Sequence, residues 1–197
     1  MLYEAAIRTP CLDVYGKHKF IERQFKDRGH EIRRYTWTSL PDRRAVVRYN
    51  EPFGNGFTWI PLISPPVGSK IRFQLCAHVR KCTDRRRNSG RGVRRVSNLD
   101  YADNLDWIEN QSKRIGWRLL TDSVDFNPIV IPLFGEKTDT DGEKKPFAIH
   151  LRASQFDGIA TIEQPDHFTQ ALTTGVGNAK AFGLGFIMFT VFGKGFQ

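Results

Sequence analysis

The hydrophobic pattern of this chain runs through one order of elements and then begins again. Residues 2–8, Leu-Tyr-Glu-Ala-Ala-Ile-Arg, read as a first strand closed by Thr9-Pro10. Asp13 then caps a helix to about Phe25, whose apolar positions Val14, Ile21 and Phe25 fall at helical spacing. Strand-like runs follow at 34–40 and 45–49, parted by Pro41-Asp42. A proline- and glycine-rich passage at 51–68 breaks the pattern, and residues 70–77, Lys-Ile-Arg-Phe-Gln-Leu-Cys-Ala, resume it as a half-buried strand. From residue 101 the order restarts with a helix to about Arg114, strands at 117–121 and 129–134 and a polar loop at 135–145. Two arms of a β-ribbon at 147–153 and 158–162 come next, then a short helix at 165–173 opened by Pro165, and an apolar strand to Phe192. Two α+β units fit this order, each with helices on one face of an antiparallel sheet, the first spanning residues 1–97 and the second 98–197.

Composition excludes several classes. The 197 residues are 40% hydrophobic and 12% aromatic, which is not a disordered chain. Three cysteines, at 11, 76 and 82, cannot all pair and show no Cys-x-x-Cys zinc signature. The most apolar stretch, 181–192, is interrupted by Gly183 and Gly185 and is far short of the roughly 20 residues of a membrane helix. The opening Met-Leu-Tyr-Glu lacks the basic region of a signal peptide. The expectation is a soluble cytoplasmic protein with no membrane partner.

The formal charge of +9 points to a polyanion, and its placement matters more than its size. Residues 80–95 hold eight cations, Arg80, Lys81, Arg85, Arg86, Arg87, Arg91, Arg94 and Arg95, against the single acid Asp84. Asn88-Ser89-Gly90-Arg91-Gly92 lies at the middle and reads as a turn between two arms. The segment is either a solvated charged face or a basic hairpin shaped to enter a nucleic-acid groove, where guanidinium groups bond phosphates and guanine edges. A second concentration, Lys17, Lys19, Arg23, Lys26, Arg28, Arg33 and Arg34, covers the first helix and the residues just after it.

Gly175, Gly177, Gly183 and Gly185 form G-x-G-x5-G-x-G between a helix and a strand. No Gly-Lys-Ser/Thr follows, and the order is the reverse of a dinucleotide fingerprint. Either the run is a helix cap with a tight return, or its bare backbone and Lys180 approach phosphates closely. The histidines at 18, 30, 78, 150 and 167 have no zinc-like spacing, so neither a metal nor a small-molecule cofactor is expected. His18 shares a helical face with Val14, Ile21 and Phe25, as a core histidine would. Tyr15 lies three residues before it, within side-chain reach on the helix. A His–Tyr pair beside cations is also what RNA cleavage by proton transfer requires, one group moving a proton while the other holds the phosphate.

Three segments together resemble one family. Asp13-Val-Tyr15-Gly-Lys-His18 is similar to an Asp-x-Tyr-x-x-His motif, Ile71-Arg-Phe73-Gln-Leu75-Cys-Ala77 to a Phe-Arg-Leu-Arg-Ala-Asn-Pro strand before a basic hairpin, and residues 175–185 to a C-terminal glycine loop. Asn104-Leu-Asp-Trp-Ile, Gly116-Trp-Arg-Leu-Leu and Phe156-Asp-Gly resemble further motifs in the same order. The family is CasE (also called Cse3), the CRISPR repeat-cleaving endoribonuclease of the Cascade system. The resemblance implies two tandem ferredoxin-like (RRM-like) domains with a basic β-hairpin, and binding to the repeat stem-loop of precursor CRISPR RNA. It implies metal-independent cleavage at the stem base by 2′-OH attack, leaving a 2′,3′-cyclic phosphate, and retention in the effector complex with the other Cascade subunits. By the same resemblance Tyr15 and His18 are the catalytic pair, and Arg80 to Arg95, Gly175, Gly177, Lys180 and Gly183 contact RNA. Two departures stand out: Cys76, His78 and Val79 replace the family's residues after the strand, and the passage at 51–68 leaves little chain for a second helix in the first unit. A non-catalytic hairpin-binding subunit and an unrelated RNA-binding protein are the alternatives.

Overall fold

The computed structural model describes residues 1–11, 13–27, 35–52, 57–83, 94–96, 100–138 and 142–192. The first sheet is built from β1 (Leu2–Arg8), β2 (Thr36–Leu40), β3 (Arg44–Tyr49) and β4 (Ile60–Leu62), in the spatial order β2-β3-β1-β4. Helix α1 (Val14–Lys26) follows β1, and its buried side chains Lys17, Ile21 and Phe25 face the sheet's Ala5, Ile7, Trp37, Val47 and Tyr49. This is the ferredoxin-like order without its second helix, since β3 and β4 are joined with no helix among the described residues. Pro61 confines β4 to an edge, where its missing N–H breaks no ladder.

The second sheet has the order β11-β5-β10-β8, from β5 (Lys70–Ala77), β8 (Trp117–Leu119), β10 (Lys144–Ile162) and β11 (Ile187–Val191). Helices α2 (Tyr101–Ile115) and α3 (Pro165–Thr174) pack on it through Ile108, Ile115, Phe168 and Leu172, against Phe73, Leu75 and Phe156. Asp100 caps α2 by accepting from the Asp103 N–H at 2.9 Å, and Gly116 ends it in the left-handed region at φ 81°. The sheets divide the chain between Leu62 and Lys70, not at residue 97. The basic segment is therefore an insertion inside the second unit: β6 (Lys81–Thr83) pairs with β7 (Arg94–Val96) between β5 and α2. Alternation along 70–77 identifies a strand and a buried face but not which sheet it joins, so the division could not be read from it.

Two further expectations are corrected. The expected loop at 135–145 is mostly ribbon, with β9 (Asp125–Thr138) running antiparallel to β10 as far as the Thr138–Lys144 pair. The arms expected at 147–153 and 158–162 are one strand, β10, which pairs with β9 along its first part and with β5 and β8 along its last. Gly158 lies inside the strand, where a Cβ would lie 3.0 Å from the Phe73 ring.

Arg48 and Thr36 join the units. The Arg48 side chain is 3% exposed, donates to Glu4 at 2.8 Å and to the Ile187 carbonyl at 2.6 Å, and stacks over Phe186 at 3.9 Å. The Thr36 hydroxyl donates to the Leu172 carbonyl at 2.9 Å. No helix among the described residues is long and apolar enough to cross a membrane.

Candidate nucleic-acid-cleaving site

Helix α1 begins where Asp13 accepts a hydrogen bond from the Gly16 N–H at 2.7 Å, which sets Tyr15 and His18 one turn apart at its start. Tyr15 is half-buried against the β9–β10 ribbon, edge-on to Phe147 at 5.8 Å and 83°. Phe147 pairs across the ribbon with Gly135, where a Cβ would meet the Phe147 ring at 2.8 Å and Tyr15 Cε1 at 3.0 Å. The bare glycine lets the two rings share that space. Beyond it, Lys137, Lys144 and Lys145 occupy backbone positions near the ribbon's end, cations that sequence reasoning left in a loop.

His18 is not the core residue that its place on the apolar face suggested. The buried positions of α1 are Lys17, Ile21 and Phe25, and His18 is half-buried beside them, stacked nearly parallel on Trp37 at 6.1 Å and 11°. Its Nδ1 is buried and has no hydrogen-bond partner among the described residues, and the same is true of Trp37 Nε1. An imidazolium would carry an unsatisfied buried N–H at Nδ1, so this position disfavours the charged form. The His18 pKa accordingly lies below its ordinary 6.5, through burial first; Glu22 acts against the shift, and Lys19 and Lys26 add to it. Charge counted along the sequence makes the neighbouring cations the expected cause; desolvation dominates instead. Trp37, absent from the sequence-based site, is a positioning residue: its indole is the aromatic surface on which the His18 ring rests. Nothing in the spacing of residues 36–40 could mark it, because a strand tryptophan reads as core.

Lys17, counted in the sequence as one of a basic run, is 2% exposed and donates to Ser39 Oγ at 2.9 Å and to the Leu40 carbonyl at 2.6 Å. Burial lowers its pKa against the opposing pull of Asp13 and Asp42. It pins the first turn of α1 to the end of β2, and so fixes the helix that carries Tyr15 and His18.

The glycine loop reaches the same place from the second unit. After α3, Gly175 N–H donates to Ala171 O at 2.9 Å, Val176 N–H to Gly185 O at 2.8 Å, and Gly185 N–H to Cys76 O at 2.7 Å. A Cβ at Gly185, with φ +80°, would lie 2.1 Å from Val176 O, and one at Gly183 would lie 3.4 Å from Trp37 and from Ser39 N. The turn Lys180–Phe182 packs on α1 and β2. The loop glycines thus serve tight internal return and close approach to the Trp37 that supports His18. Lys180 itself is exposed on the side of α2 and α3, its pKa lowered by burial and then by Arg114.

His78 is buried and held at both ring nitrogens. Its Nδ1 faces the Arg152 carbonyl at 2.5 Å, and the Arg80 Nε–H donates to its Nε2. Both nitrogens are engaged, so His78 holds Arg80 at the base of the basic hairpin. Lys81, Arg94 and Arg95 lie on the paired strands β6 and β7, with Cys82 opposite Arg95 and Thr83 opposite Arg94. Arg85, Arg86, Arg87 and Arg91 lie outside the described residues. Among those that are described, no cluster of three or more His, Cys, Asp or Glu could hold a metal ion.

Known proteins share this fold. The model of the family described as "CRISPR associated protein" matches residues 64–190, which is the second sheet with its helices, hairpin and glycine loop. The chain belongs to that family. It is 29% identical over 153 residues to the CRISPR-associated endoribonuclease Cse3 of Thermus thermophilus, a match spanning 77% of this chain and 66% of that protein. Its fold is similar to that of Cse3 bound to a 19-nucleotide RNA, with a TM-score of 0.68 at 22% identity over 96% of this chain and all of that one. It is also similar to a chain of a CRISPR RNA-guided surveillance complex, with a TM-score of 0.64 at 19% identity over 98% of this chain and all of that one.

Two expected outcomes test the site. If neutral His18 is the base, the cleavage rate rises with pH to a plateau, and a group titrating at 6.5 would give half the plateau at pH 6.5. The lowered pKa of His18 puts the rate at pH 6.5 above half; a rate that falls as pH rises through this range would make His18 the acid instead. In the loop, Gly185→Ala should cost more than about 1 kcal/mol and lower the melting temperature. Lys180→Ala, an exposed change, should leave the melting temperature alone and weaken RNA binding or cleavage. Parental behaviour of Lys180→Ala in both assays would leave the loop a purely structural role.

Proposed function

We propose that this protein is an endoribonuclease that binds the stem-loop of CRISPR repeat RNA and cuts it at the base of the stem. One juxtaposition carries the reading: Tyr15 and a half-buried His18 of lowered pKa sit together on α1, with the glycine loop packed against the tryptophan beneath His18. In the cut, His18 takes the proton of a ribose 2′-OH and the oxygen attacks the adjacent phosphorus. The bond to the 5′-oxygen breaks, leaving a 2′,3′-cyclic phosphate, and that oxygen takes a proton from solvent water and leaves as a hydroxyl. The Tyr15 phenol bonds a phosphate oxygen as charge builds there. This sequence needs no metal, because the nucleophile is part of the substrate and the base is a side chain. The basic hairpin from Arg80 to Arg95 lies along the stem, and Lys180 contacts the RNA beside it. The likeness to a chain of an RNA-guided surveillance complex supports retention of the product as a subunit of such an assembly.

A second reading, a subunit that holds the stem-loop without cutting it, is favoured by one observation: among the described residues no carboxylate or carbonyl orients His18 through Nδ1. Incubating the protein with a repeat stem-loop and with the same sequence scrambled to abolish the stem separates the two. Selective cutting at one position of the stem-loop is expected. Tight stem-selective binding without any cut would establish the second reading.

A further inference from the structure

A cavity of about 400 Å3 opens between the last turns of α2, the end of α3 and the start of the glycine loop, on the side of Lys180 facing away from α1. Among the described residues two cations line it, Arg114 and Lys180, and no carboxylate does. The amides of Gln111, Gln170 and Asn178 and the Thr174 hydroxyl complete its polar wall. Trp107 also lines it, held by its stack on Phe156 at 5.5 Å and 19° and lying 3.1 Å from where a Cβ at Gly177 would stand. Any side chain at Gly177 would close in on that indole.

Two like charges with no counterion among the described residues of the wall are costly to hold together; the Lys180 pKa is depressed by burial first and by Arg114 second. An anion between them removes it. The rest of the wall selects among anions. A bare phosphate would leave most of a cavity this size empty, since cavities of about 300 Å3 and above suit whole small molecules. Amide side chains both donate and accept, as the edges of bases require, and an indole offers a π-surface to a base. The carboxylates of an acidic peptide would answer the cations but not the amides.

We propose that this cavity is a subsite for one single-stranded nucleotide of the RNA adjoining the stem, its phosphate between Arg114 and Lys180 and its base against Trp107 and the amides. The proposal rests on the RNA-processing reading and adds to it a contact outside the hairpin and the cleaved bond. The subsite makes affinity depend on RNA that is not part of the stem-loop.

The test measures binding of a repeat stem-loop, bare or carrying a short oligouridine flank at one end or the other, across a range of salt concentrations. One flank should tighten binding. Arg114→Gln should remove about tenfold of that gain, as loss of a charge-assisted bond does, and reduce the log–log salt slope of the flanked RNA by about 0.7. Binding and cleavage of the bare stem-loop should stay parental. Gln170→Leu should lower the gain without changing the slope, and polyglutamate should not displace the flank. A folded Arg114→Gln protein with unchanged gain and slope would overturn the subsite, as would displacement by polyglutamate at matched charge. Loss of stem-loop binding by the parent protein would sink the processing reading alone if Arg114-dependent binding of free oligouridine persists, and both if it does not.

Discussion

His18→Ala should slow single-turnover cleavage of the repeat stem-loop at least about a hundredfold while leaving affinity within a few-fold. A positioned proton carrier contributes about 10²- to 10⁴-fold, roughly 3 to 5 kcal/mol of barrier. His18 is half-buried, so truncation also exposes part of Trp37, and some loss of stability accompanies the change. Melting temperature, affinity and rate measured on one sample tell these apart. A structural histidine would give a less stable protein whose folded fraction cuts normally. Tyr15→Phe should show a smaller loss of the same kind, because the ring keeps its edge contact with Phe147 and only the hydroxyl is removed.

The second large effect is expected in binding. Replacing Arg85, Arg86, Arg87 and Arg91 together by Gln should weaken stem-loop affinity steeply at low salt and flatten its salt dependence. Each phosphate no longer neutralised by an arginine takes roughly 0.7 to 0.9 from the log–log slope. The strands Lys81–Thr83 and Arg94–Val96 that pair below these positions remain, so a folded protein is expected. An unchanged slope would return the segment to a solvated face.

Much of this was legible in the sequence where a physical rule ties residue to geometry. Asp13 caps the helix it was expected to cap, and Pro165 opens α3. The restart of the pattern does reflect two units, and Lys81–Thr83 does pair with Arg94–Val96; the Asn-Ser-Gly-Arg-Gly segment itself lies outside the described residues. What failed depends on which surfaces meet. The half-buried strand 70–77 carried no mark of the sheet it joins, and the polar run at 135–145 has no apolar alternation from which its pairing could be read. At the site, Tyr15 and His18 were visible by spacing. Trp37, the buried Lys17 and the Gly135–Phe147 pair were not, because each acquires its role from an element distant in sequence. Burial, the first cause of the lowered His18 pKa, has no sequence signature either: charge can be counted along a chain, but burial cannot.

The most direct measurement uses the repeat stem-loop in excess EDTA, with and without a 2′-deoxy substitution at the nucleotide preceding the cleaved bond, and maps the ends of the products. Cleavage of the all-ribose RNA at an undiminished rate is expected, leaving a 2′,3′-cyclic phosphate and a 5′-hydroxyl, with no cut in the deoxy-substituted RNA. Cleavage that stops in EDTA, or that proceeds past the 2′-deoxy nucleotide to leave a 5′-phosphate, would contradict the 2′-OH mechanism and the role of His18 in it.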